Sequence, residues 1–164
     1  MSISTFDGVL YHTLKDLLSA EKQFRDALPK LAEAATNAQL AGALLEHRDE
    51  TLTHIERLER CFEMLGKAER SERCEAAAGL VEESRSLIEE GGEAPYIDLA
   101  LVGAGRKVEH YEIVSYSDAC DYAKSLGHHE MEKILRQTLD EERAADAKLH
   151  TMGKRLMTEA ARMT

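Results

Sequence analysis

Tryptophan is absent from the 164 residues, proline occurs twice and cysteine three times, and bases are scarce, 21 Lys and Arg against 31 Asp and Glu. Each shortage excludes something. With so few prolines, nothing forces frequent breaks in helices. Cys61, Cys74 and Cys120 are odd in number and form no close-spaced pair, so they fit neither a disulfide framework nor a zinc site; buried free thiols are expected. A net charge of −10 argues against nucleic acid, which demands clustered Lys and Arg. It suits a soluble protein or one that attracts cations. No apolar run approaches the length that spans a bilayer, and the polar start MSISTFDG does not read as a signal peptide. A cytoplasmic protein with no membrane partner is the expectation.

What is abundant is helix formers: Ala, Leu, Glu, Lys and Arg fill the chain. The spacing of apolar residues predicts an all-α chain with four long helices. In the first, over 5–35, Leu10, Leu14, Leu17, Glu21, Phe24, Leu28 and Leu31 draw one alternating four-three stripe, with Pro29 expected to kink or loosen its last turn. The second, over 38–66, carries Leu40, Leu44, His47, Thr51, His54 and Leu58. A third runs over 96–126, closed by Gly127, and a fourth over 129–163 with Met131, Leu135, Thr138, Glu142, Ala145 and Leu149. The connection between the second and third holds a short amphipathic helix over 74–90. No period-two alternation survives anywhere, so no sheet is expected. Two helical hairpins joined by a long crossover make a ferritin-like four-helix bundle, here a single domain over 1–164.

A shift of 91 positions maps Leu10, Leu14, Leu17 and Glu21 onto Leu101, Gly105, Val108 and Glu112. It also maps Leu40, Leu44, Asp49, Glu50 and Leu58 onto Met131, Leu135, Asp140, Glu141 and Leu149. Glutamate lands on glutamate in both hairpins. Glu21 and Glu112 occupy seam positions, and Glu50 sits beside the seam with His47 three residues before it and His54 four after. Glu141 and Glu142 straddle the last seam; the repeat favours Glu141 as the inward residue, the heptad count Glu142. An ionised carboxylate in an apolar bundle costs several kcal/mol unless paired or metal-bound. Acids at one depth in all four helices therefore point to a dinuclear metal site.

The known helical version uses one Glu from each of two helices and Glu-x-x-His from the other two. Glu21 and Glu112 fit its first half. The second half departs, because Thr53 and Ala144 stand at the histidine positions. The predicted set is rich in carboxylates, with His54 or His47 as the nitrogen and Glu109 or Asp146 as extra oxygens or neighbours of the ligands. Hard oxygen donors shift preference toward iron or manganese over softer-ligand metals, and two divalent ions, iron first and manganese second, are expected. Tyr116, close after Glu112, is expected to pack with its hydroxyl at a carboxylate.

The segments LKDLLSAEKQ, EHRDETLTHIERLE, CEAAAGLVEE, RKVEHYEIVSY and LRQTLDEERAADAKL occur in that order. Through them nearly the whole chain resembles the YciE/YciF family of bacterial ferritin-like proteins. The resemblance implies a ferritin-like bundle, usually a dimer, with a di-iron-type site and a link to stress responses. It carries a metal role onto Glu21, Glu50, Glu112 and Glu141 or Glu142, and includes His47, Glu109 and Asp146 in the pattern. The family often has glutamine at position 54, where this chain has His54. The expected function is that of a metal-binding stress protein whose centre reacts with peroxide or oxygen, as a peroxidase or ferroxidase. The alternative is a non-enzymatic dimeric bundle with a vestigial or sensing site; iron storage, which needs a hollow shell of many subunits, ranks third.

Overall fold

Each apolar stripe closes on a helix in the computed structural model, which describes residues 3–69 and 72–163. The elements are α1 (Phe6–Ala34), α2 (Ala38–Met64), α3 (Glu75–Glu90), α4 (Tyr96–Ser125) and α5 (His129–Ala160), and no strand occurs among the described residues. Local chemistry sets their ends. Thr5 caps α1 by accepting from the Gly8 amide at 3.1 Å, and Asn37 caps α2 by accepting from Gln39 and Leu40. Gly127 turns the chain after α4 at φ +79°, a left-handed conformation that side chains resist, and the His128 amide then bonds back to Ala123 at 2.9 Å. Pro29 does not interrupt α1, which continues through it to Ala34.

The pairing is that of a ferritin-like bundle. α1 and α5 each pack on both α2 and α4, while the crossover helix α3 lies across α1 and α4. The crossover is pinned at its start, where Ser19 accepts from the Cys74 amide at 2.8 Å and Gln23 donates to its carbonyl at 3.1 Å. All three cysteines are buried free thiols. Among the described residues, no helix is long and apolar enough to cross a membrane.

Two apolar clusters divide the core. One end holds Leu10, Leu14, Leu58, Phe62, Ala123 and Met131; the other holds Leu31, Leu40, Leu44, Leu101, Leu149 and Leu156. The start of α1 thus shares an end with the finish of α2 and α4 and the start of α5, so neighbouring helices run antiparallel. Between the two clusters the same seams continue with polar side chains.

A separate buried acid holds the α1–α2 corner. Asp98, 1% exposed, accepts from the Thr36 amide at 2.8 Å, the Thr36 hydroxyl at 2.5 Å and the Asn37 amide at 3.2 Å. Asp98→Ala would strand those donors, and a loss of about 2–3 kcal/mol is expected. A lower urea midpoint checks it; an unchanged midpoint contradicts it.

Candidate metal centre

The middle of the bundle is built from one or two residues per long helix. α1 supplies Glu21, α2 supplies His47 and His54, α4 supplies Glu109 and Glu112, and α5 supplies Glu142, all buried. The period of the seams explains the placement: His47 and His54 are seven apart on either side of Thr51, and Glu142 is the α5 seam residue between Thr138 and Leu149. Potential ligand atoms gather into two groups. Glu21, His54 and Glu142 form one; His47, Glu109, Glu112 and Glu142 form the other, each with its atoms within 4.8 Å of one another. Glu142 belongs to both.

The two imidazoles are aimed by acids at their outer nitrogens. His54 Nε2 lies 2.9 Å from Glu141, while its Nδ1 faces Glu142 at 2.9 Å and Glu21 at 3.4 Å. His47 Nδ1 lies 3.3 Å from Glu50, while its Nε2 faces Glu109 at 3.4 Å and Glu142 at 3.5 Å. An outer carboxylate that takes one ring N–H leaves the other nitrogen free to ligate, the usual arrangement around metal-binding histidines. Glu141 is itself gripped on both oxygens by Arg57, which also donates to Thr138 at 3.2 Å. Tyr116, wholly buried, donates its hydroxyl to Glu21 Oε1.

The inner face of this cluster lacks partners. Glu21 Oε2, Glu109 Oε2, Glu112 Oε1 and both Glu142 oxygens have no hydrogen bond, and neither does His54 Nδ1. Buried polar atoms are normally satisfied, and orphans facing one another at this density are atoms that a cation could satisfy. Four carboxylates and two neutral imidazoles also balance the charge of two divalent ions. The donor set fits the group.

Electrostatics agree. Burial, then the neighbouring Glu142, holds Glu109 and Glu112 well above the usual carboxylate range. Burial also raises Glu21, against the pull of His54. For Glu142 burial works upward too, but His54 and His47 outweigh it and hold this carboxyl below its usual value. Burial would lower His54, yet Glu142 and Glu21 push it up to about 10. His47 is likewise raised, since Glu50 and Glu142 overcome its burial. Without metal, protons take the positive role in the cluster.

Some residues picked from sequence lie outside this inner group. Glu50 and Glu141 stay at the rim, 52% and 38% exposed, as the acids that aim His47 and His54. Asp146 is held away by Arg106 at 2.7 Å and His110 at 3.4 Å. Arg57 was not singled out from sequence; its one cue is its place three residues after His54. Arg57→Ala is expected to loosen Glu141 and His54 and to weaken any cation held at His54 by about 10–100-fold. Titration calorimetry showing one weakened and one unchanged site checks this; two unchanged sites contradict it.

Residues 5–162 match the family described as "Domain of unknown function (DUF892)". The chain is 41% identical over 150 residues to Protein YciF of Escherichia coli (strain K12), covering 91% of this chain and 90% of that one. It superposes on the crystal structure of the E. coli stress protein YciF with a TM-score of 0.92 at 38% identity, covering 95% of this chain and 99% of that one. YcfI from Rhodopseudomonas palustris gives 0.87 at 38% identity, covering 92% and 96%. A protein from Xanthomonas campestris pv. campestris shares the fold, with a TM-score of 0.76 at 19% identity over 97% of this chain and 98% of that one.

Proposed function

The chain belongs to the DUF892 family, and from that premise we propose that it is a stress-response protein with a carboxylate-rich dinuclear metal centre, iron first and manganese second. Glu21 and His54 would hold one ion and His47, Glu109 and Glu112 the other, with Glu142 shared. The observation that carries this reading is the set of unpartnered buried oxygens and the imidazole nitrogen converging from all four long helices. Bound there, a pair of redox-active ions would supply electron exchange with hydrogen peroxide or dioxygen.

The chain's own residues do the rest. The apolar clusters above and below exclude bulk water, which strengthens every charge interaction between them. Arg57 and Glu141 keep the His54 ring turned so that Nδ1 points inward, and Glu50 does the same for His47 Nε2. Tyr116 holds Glu21 through Oε1 and leaves Oε2 for the ion. A cytoplasmic homodimer of single-domain chains is the proposed assembly, checked by particle size in solution.

The reactive part is tested by peroxide consumption. Iron- or manganese-loaded protein is expected to consume hydrogen peroxide catalytically, and metal-free protein is not. Metal bound in full without turnover would move the reading to a non-enzymatic binding role.

A further inference from the structure

Glu109 is approached by cavities from two sides. Between α1 and α3 lies a groove of about 670 Å³, floored by Ala27, Leu31, Val81 and Ile88. Between that groove and Glu109 lies a separate cavity of only about 10 Å³, lined by Phe24, Leu28, Val81, Val108 and Glu109. That is no more than the room one water needs, so the large groove is shut off from the cluster. Between α2 and α5 the situation reverses. A smaller cavity of about 140 Å³ is lined by Ala43, His47, Glu50, Glu109, Ala145 and Lys148.

We propose that this α2–α5 cavity is the port through which divalent cations reach the buried cluster, an inference that rests on the dinuclear reading above. Its volume exceeds that of several waters, at roughly 30 Å³ each, so a partly hydrated ion fits. Its floor is Glu109, 2% exposed, with Oε2 unpartnered. Its wall is His47, whose ring reaches from Glu50 outside to Glu109 and Glu142 inside. Alanines on both facing helices keep the passage open where larger side chains would close it.

Charge points the same way. Glu46, Glu50, Glu109 and Glu141 line the cavity, against Lys148 and the His47 ring as its basic groups. Lys148 is drawn across the mouth by Glu46 at 2.5 Å. A cleft in which one sign of charge predominates concentrates the opposite ion and speeds its arrival. Glu50, half exposed in the lining, pairs with His47, whose other ring nitrogen faces Glu109.

The test is the rate at which metal-free protein takes up Mn(II), followed by loss of the free-ion electron paramagnetic resonance signal. Ala145→Leu, which narrows the cavity while keeping helix propensity, is expected to slow loading several-fold with the final stoichiometry unchanged. Lys148→Ala, at the exposed mouth, is expected to load several-fold faster at low salt, the advantage fading at high salt. Wild-type rates in both variants would overturn the port. Should Ala145→Leu not fold, the Lys148→Ala rate and its salt dependence decide alone. Failure of the unaltered protein to take up Mn(II) or Fe(II) at all would overturn the dinuclear reading instead.

Discussion

Glu142→Gln is expected to empty the whole centre, whereas Glu21→Gln is expected to empty half of it. Glu142 is the one residue common to both groups of potential ligand atoms, and both of its oxygens lack hydrogen bonds. Two divalent ions a few ångströms apart repel strongly in a dry interior unless an anion lies between them. A neutral amide removes that anion while keeping the volume, so helix content should stay unchanged by circular dichroism. Metal content by mass spectrometry should fall from two per chain to essentially none. In Glu21→Gln the group of His47, Glu109, Glu112 and Glu142 is intact, and one ion per chain should remain. Equal losses in the two variants would contradict the sharing of Glu142.

The second large effect is opposite pH behaviour with and without metal. Glu109 and Glu112 are held well above their ordinary value by burial and by Glu142. Below that ordinary value both folded and unfolded chains carry these protons, and the contribution to stability is complete. As pH rises toward the displaced values, the unfolded chain releases protons that the folded chain must keep, so stability is lost. His54, raised from 6.5 to about 10, adds a loss of the same sign as pH rises from about 6.5 toward about 10. Glu142, held low, acts the other way and matters only as pH falls through the acid range. Metal competes with protons for the same atoms, so loading is favoured as pH rises. The gap in melting temperature between loaded and metal-free protein should therefore widen by several degrees between about pH 5 and about pH 8, since each pKa unit is about 1.4 kcal/mol. A constant gap would mean that no protons leave when metal binds.

Much of this architecture is legible in the spacing of leucines. The four-three stripes mark which face of each helix turns inward, and Glu21, His47, His54, Glu112 and Glu142 all lie on those stripes and are buried. Where the internal repeat and the heptad count disagreed, the heptad count matches the structure: Glu142 is enclosed and Glu141 is partly exposed. The repeat misleads there because Thr51, not Glu50, is the α2 seam residue opposite Glu142, so glutamate aligned on glutamate only at the rim. After Glu112 the stripe continues through Tyr116, with Ser115 turned aside to donate to Tyr111 at 2.8 Å.

The rest depends on contacts between helices. Asp146 has the right type and spacing for a ligand, but Arg106, forty residues earlier, holds it outward. Arg57 grips Glu141 across a separation of 84 residues, and no local pattern reports such a pair. A residue beside a seam can face in or out with a small rotation of its helix, and only the packed bundle decides.

Anomalous diffraction from metal-loaded crystals tests the central claim most directly. The expected result is two peaks per chain flanking Glu142, one beside Glu21 and His54 and the other among His47, Glu109 and Glu112. A single peak, a peak at Glu50 or Asp146 instead, or none in protein loaded with iron or manganese would contradict it.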